Sequence, residues 1–121
     1  MAVGVALAGI AVLLGAFATH ALRDAISEAN RVIFQTGVRY MMWHAFGMIL
    51  YGLYADRVAS ARWPGWLFLM GILVFSGSLC GLAVTDLRWL GAITPLGGLC
   101  FMGGWAGFLV QILRRNHDEA V

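Results

Sequence analysis

The chain has 121 residues, 61% of them hydrophobic and only 12% charged, with a net charge of +2. An ordinary soluble domain is about 45–50% apolar and about 25% charged, and so short a chain cannot hide such an excess in one small core. The eight basic residues are all arginine and lie scattered, which excludes the clustered basic face that nucleic-acid binding needs.

Four stretches are apolar over the roughly 20 residues that a helix needs to cross a bilayer. The first covers about residues 2–20 and has no charge from Ala2 to Thr19. "AFA" at Ala16–Ala18 resembles a signal-peptidase site. No basic stretch precedes it, however, and the run exceeds a signal-peptide core, so span one is expected to be retained. Residues 21–35 follow with Leu22, Ala25, Ile26, Ala29, Val32 and Ile33 at helical spacing, and with Arg23, Asp24, Ser27, Glu28, Asn30 and Arg31 on the other face. This pattern predicts an amphipathic helix lying in the headgroup region, as a wet linker or as a lid over the helices.

The second span, about 39–55, carries a histidine. Thr36, Tyr40, His44, Met48 and Tyr51 recur at steps of three or four and share one helix face. The third span covers about 65–85 and the fourth about 90–113. Short connections force antiparallel neighbours, so the expected fold is an all-α membrane protein, an up-down bundle of four transmembrane helices in a single domain. Both termini then share one side. Arginines divide four against four between the two sides, so their count gives no orientation. Arg114–Arg115 beside span four and the compact second loop favour cytoplasmic termini, in the inner membrane if the source is bacterial.

Helices in lipid associate through close packing and hydrogen bonds, which small residues permit. Ala11, Gly15 and Thr19 offer one smooth face, and Gly77/Gly81 and Gly103/Gly107 form GxxxG pairs suited to packing within the chain or to a homo-oligomer. Thr94–Pro95 reads either as the cap and first turn of span four or as a kink within it. Cys80 and Cys100 differ in depth by roughly 7 Å and are expected to be packing residues rather than a disulfide. Trp43, Trp63, Trp66 and Trp89 fall near span ends, as interfacial belts require.

His20 ends span one on the side where span two begins. His20, Arg39, Tyr40 and His44 are therefore expected to converge at one mouth of the bundle. Such a cluster could relay protons or hold a small molecule, or merely link helices through hydrogen bonds. No cysteine or carboxylate within the spans completes a metal-ligand set, and no phosphate loop, dinucleotide fingerprint or nucleophile elbow is present. Neither an enzyme nor a resident cofactor is expected.

"LLGAFATHAL" at 13–22, "FQTGVRYMMWHA" at 34–45, "GWLFLMGILVFSGSL" at 65–79 and "RWLGAITPLGG" at 88–98 resemble the domain of unknown function 423 family, small membrane proteins similar to transmembrane protein 256. The resemblance implies four membrane helices and no established activity. It implies signature positions at Gly15, His20, Tyr40, His44, Gly77, Ser78, Thr94, Pro95 and Gly97. Trp43 and Cys80 depart from an expected tyrosine, and Asp86 stands where glycine is usual. Two roles remain: an accessory subunit associating with other membrane proteins in the bilayer, or a carrier for a small molecule, proton or cofactor at the His20–His44 mouth.

Overall fold

The computed structural model describes residues 1–57 and 61–119, and no strand occurs among the described residues. Helix α1 spans Ala2–His20, α2 spans Glu28–Arg57, α3 spans Trp63–Thr85 and α4 spans Leu90–Glu119. Within α3 one turn, Ile72–Ser76, is π-helical. Residues 58–60 of the predicted loop between spans two and three, and the side chains of Asp118 and Glu119, lie outside the described residues. Three helices are long and apolar enough to cross a membrane: α1, α3 and Leu90–His117 of α4, with mean hydropathies of 2.2, 2.3 and 1.6. Their apolar stretches are only 17%, 33% and 22% buried, so most of that surface faces outward. Helix α2 is long enough but less apolar, carrying Glu28, Arg31, Arg39, Asp56 and Arg57.

The expected amphipathic helix over 21–35 does not form as a separate element. Residues 21–27 make turns, and from Glu28 onward the chain belongs to the 30-residue α2. The cause is a cap. Ser27 Oγ accepts the Asn30 backbone N–H at 3.1 Å, and Glu28 places a negative charge in the first turn. No proline interrupts the chain beyond it, so helix propagates directly into the apolar segment. The turn is tied down rather than afloat: Leu22 is buried, Ile26 packs against the core, and Arg31 reaches the Arg23 carbonyl at 3.4 Å.

Consecutive helices pack antiparallel. A Cβ on Gly4 would meet the Ala45 carbonyl and Met48, and one on Gly15 would meet Val38, which fixes the direction of α1 against α2. The α1 seam reads Gly4, Leu7, Ala8, Ala11, Leu14, Gly15 and Ala18, with the fully covered positions seven residues apart. Thr19, expected on this face, is exposed and donates back to the Gly15 carbonyl at 3.0 Å. Gly37 of α2 lies against Ser76, Leu79 and Cys80 of α3, and α4 packs along α3. Among the described residues helix α1 packs against α2 alone, so the four helices do not close into the expected bundle. Instead α2, α3 and α4 form the packed body, and α1 is laid on its outer side.

The small residues that matter differ in part from those expected. Gly77 faces open space and Gly81 meets only the end of Leu90. The close approaches of α3 and α4 lie at Gly71, where Phe101 packs, and at Gly97, Gly104 and Gly107, which receive Phe75, Phe68 and Trp63. Gly103 meets only the end of Leu67. Asp86 ends α3 in the left-handed region, φ 56°, with its N–H on the Leu82 carbonyl at 2.8 Å. Glycine is the usual residue there, because a Cβ is disfavoured in that conformation. Asp86→Gly should raise stability by about 1 kcal/mol or less, read as a later unfolding midpoint, despite losing a long 3.4 Å contact with Asn30.

Candidate functional site

His44 faces the interior from the middle of α2 and is 6% exposed. Met41, Ala45 and Tyr51 are buried from the same helix, so the imidazole sits within α2's inward stripe. Its Nδ1 lies 2.7 Å from the Tyr40 carbonyl oxygen, one turn earlier. A carbonyl only accepts, so Nδ1 carries the proton and Nε2 is left as a bare acceptor. No partner for Nε2 is found among the described residues.

Aromatic rings surround the imidazole. Phe101 of α4 stacks on it with centroids 3.4 Å apart and planes 10° from parallel. Phe68 and Trp105 stand at 6.1 and 6.2 Å, and Tyr40 at 5.9 Å. Glycines make this enclosure possible. A Cβ on Gly47 would come 3.1 Å from Trp105, and one on Gly71 would overlap Phe101. Glycine positions on α2 and α3 thus admit large rings from α4 up to the histidine.

The predicted four-residue cluster is only half assembled. Tyr40 is half-buried and stacks beside His44, with Phe75 at 4.6 Å and Trp43 at 5.0 Å. Arg39 is exposed. His20 is exposed at the end of α1 and makes no hydrogen bond or ring contact among the described residues. The antiparallel register places His44 near the start of α1, so His20 lies roughly 17 Å away along the axis. The two histidines do not meet at a mouth because α2 already begins at Glu28: His20 lies beside its first turns, whereas His44 stands about four turns further in. Among the described residues no three His, Cys, Asp or Glu side chains group as a metal-holding set, and Cys80 and Cys100 are free thiols.

Of the two expected forms of Thr94–Pro95, the cap fails and one helix runs through. Helix α4 starts at Leu90, with backbone N–H groups of Leu90, Gly91 and Ala92 bonded three residues back. Pro95 is therefore interior to the helix, and Thr94 is not its cap. Thr94 Oγ1 instead lies 3.2 Å from the Leu90 carbonyl and 2.7 Å from Ser78 Oγ of α3, which is itself 3.0 Å from the Phe75 carbonyl. Two hydroxyl protons serve three contacts, so one hydroxyl donates across to the other, which in turn donates to the carbonyl of its own helix. A double-mutant cycle of Ser78→Ala and Thr94→Val, read by unfolding in bicelles, should give a coupling of about 0.5–1.5 kcal/mol.

Sequence reasoning missed a second polar cluster. The Tyr51 hydroxyl donates to the Ala61 carbonyl and lies 3.2 Å from Gln111 Oε1. Gln111 Nε2 donates to the same carbonyl at 3.0 Å, and the Tyr54 hydroxyl donates to the Gln111 carbonyl at 3.0 Å. The cluster latches the end of α2 and the start of α3 to α4. Its signal was available: Gln111 is a lone amide in an apolar run, and Tyr51 and Tyr54 are spaced to share a face.

A family profile described as a protein of unknown function (DUF423) matches residues 14–98. The UPF0382 membrane protein YwdK of Bacillus subtilis is 41% identical over 81 residues, covering 64% of this chain and 66% of that protein. A UPF0382 membrane protein of Staphylococcus epidermidis is 40% identical over 79 residues, covering 64% and 65%. One from Haemophilus influenzae is 39% identical over 83 residues, covering 65% of each chain. The match thus spans just under two thirds of the length of these relatives. No solved structure matches. The profile includes His20, Arg39, Tyr40, His44 and Thr94–Pro95 but stops before Phe101 and Trp105, the stacking partners.

Proposed function

Because the chain belongs to the family of proteins of unknown function designated DUF423, whose curated relatives are named membrane proteins, we propose that it is an integral membrane protein of four spans. Helix α2 is the fourth crossing in this reading, despite its lower apolarity. It lies antiparallel between α1 and α3 along its length, and four of its five charges fall in its end turns. Both ends of the chain then face the same side, taken as cytoplasmic.

Its role in this reading is structural: an accessory subunit that associates with other membrane proteins. The observation that carries it is the one-sided packing of α1. Val5, Ile10, Val12 and Leu13 form an exposed outer wall that no other helix covers among the described residues. A photo-crosslinking residue at Leu13, in native membranes, should capture one protein chain of fixed mass, and native mass spectrometry should find that chain at a fixed ratio. Lipid adducts alone, with a monomer in the mass spectrum, would remove the accessory role.

A second reading, a carrier for a proton or small hydrogen-bond donor, is supported by one atom, His44 Nε2, which has no hydrogen-bond partner among the described residues. It predicts a fixed extra mass that disappears in His44→Phe while the fold persists. No catalytic step is proposed, since His44 is surrounded by a backbone carbonyl and aromatic rings rather than by a nucleophile or carboxylate.

A further inference from the structure

Because α1 rests on α2 alone, a groove of about 480 Å³ opens between the start of α1, the last turns of α2 and the first turns of α3. That volume falls within the roughly 300–1,000 Å³ typical of ligand sites. Its lining changes character along its length. Val3, Met48 and Leu69 make it apolar toward the body of the helices, Trp66 stands on its wall, and Asp56 and Arg62 bring charge where α2 ends and α3 begins.

The two charges do not neutralise each other. Both are exposed, and neither side chain makes a hydrogen bond or ion pair among the described residues. Arg62 is also held in place: the preceding residue, Ala61, is the carbonyl latched by Tyr51 and Gln111. It immediately precedes an α3 N-terminus that no side chain caps, so the positive end of the helix dipole adds to its charge. An anion fits there and a cation fits beside Asp56. The tail that accompanies them must be apolar, and Trp66, 62% exposed, suits the depth of a headgroup boundary.

We propose that this groove binds one zwitterionic glycerophospholipid, of the phosphatidylethanolamine type, with its phosphate at Arg62, its ammonium at Asp56 and one acyl chain against Val3, Met48 and Leu69. The proposal rests on the reading of the chain as a membrane protein. An exclusively anionic headgroup meets repulsion from Asp56, which is what separates the two lipid classes.

The test is native mass spectrometry of the delipidated full chain, offered equimolar phosphatidylethanolamine and phosphatidylglycerol. The wild type should hold one phosphatidylethanolamine in preference by about tenfold, the scale of one hydrogen bond to a charged group. Arg62→Gln should lose that lipid, and Asp56→Asn should turn the preference toward phosphatidylglycerol. Leu69→Trp, which fills the groove and leaves both charges intact, should also expel the lipid. Equal, nonstoichiometric adducts of both lipids, or undiminished phosphatidylethanolamine binding in Arg62→Gln, would overturn the proposal. Alkaline extraction of membranes from the same cells separates the two failures. A chain released by alkali refutes the membrane reading, whereas an embedded chain without selectivity refutes the groove alone.

Discussion

Gly97→Ala should destabilise the protein more than any other single methyl addition on the α3–α4 seam that we compare. A Cβ at Gly97 would come 2.7 Å from the Phe75 Cβ and 2.8 Å from its Cα. Those atoms belong to the frame of α3, so no rotamer change relieves the clash; the two helices must separate. Phe75 lies in the π-helical turn and carries Tyr40 and Phe101 on its ring, so the displacement reaches the histidine enclosure. Overpacking of this kind costs about 1–3 kcal/mol. Gly103→Ala, which meets only Leu67 Cδ1 at 3.1 Å, should cost a small fraction of that. Gly77→Ala, with nothing within 4 Å, should be neutral or stabilising by up to about 1 kcal/mol through helix propensity. Equilibrium unfolding of the three variants in one lipid mimetic checks the order. Equal stability of Gly97→Ala and Gly77→Ala would refute the α3–α4 register.

That ranking shows where a sequence stops informing. GxxxG spacing identifies small residues on a common face, but not which way the face points. Gly77 fits the spacing and looks outward, whereas Gly97 and Gly104 fit a different stripe and receive Phe75 and Phe68. The four apolar stretches were legible because lipid-length runs need only composition, and each lies within one helix of the structure. The amphipathic segment misled because periodicity continued across Ser27. The local cap there, the Ser27 Oγ on the Asn30 N–H, decided the helix start instead. The candidate site divided likewise. His44 and Tyr40 could be paired from spacing within one helix, while Phe101 and Trp105 come from α4 and depend on its register against α2. His20 was assigned by side of the membrane alone, and depth along the axis separates it from His44.

His44→Ala is the second large effect, and its companions separate packing from hydrogen bonding. In a membrane the unfolded helices are already in an apolar solvent, so the water-transfer part of a core truncation is absent. What remains is the empty space between Phe68, Phe101 and Trp105 and the lost stack at 3.4 Å. We expect a cost of about 2–3 kcal/mol from the cavity and stacking together. His44→Phe preserves a ring against Phe101 and gives up only the Nδ1 bond. The Tyr40 carbonyl keeps its place in the α2 hydrogen-bond ladder, so no buried acceptor is orphaned, and the cost should stay below about 1.5 kcal/mol. His44→Gln keeps hydrogen-bonding capacity but lacks a ring, and should fall nearer to alanine than to phenylalanine. Unfolding midpoints in that order would mean that α2 accepts an imidazole here chiefly as a flat ring whose one N–H is satisfied within its own helix. The reverse order, with glutamine the better substitute, would make the polar atoms decisive and give Nε2 a partner to account for.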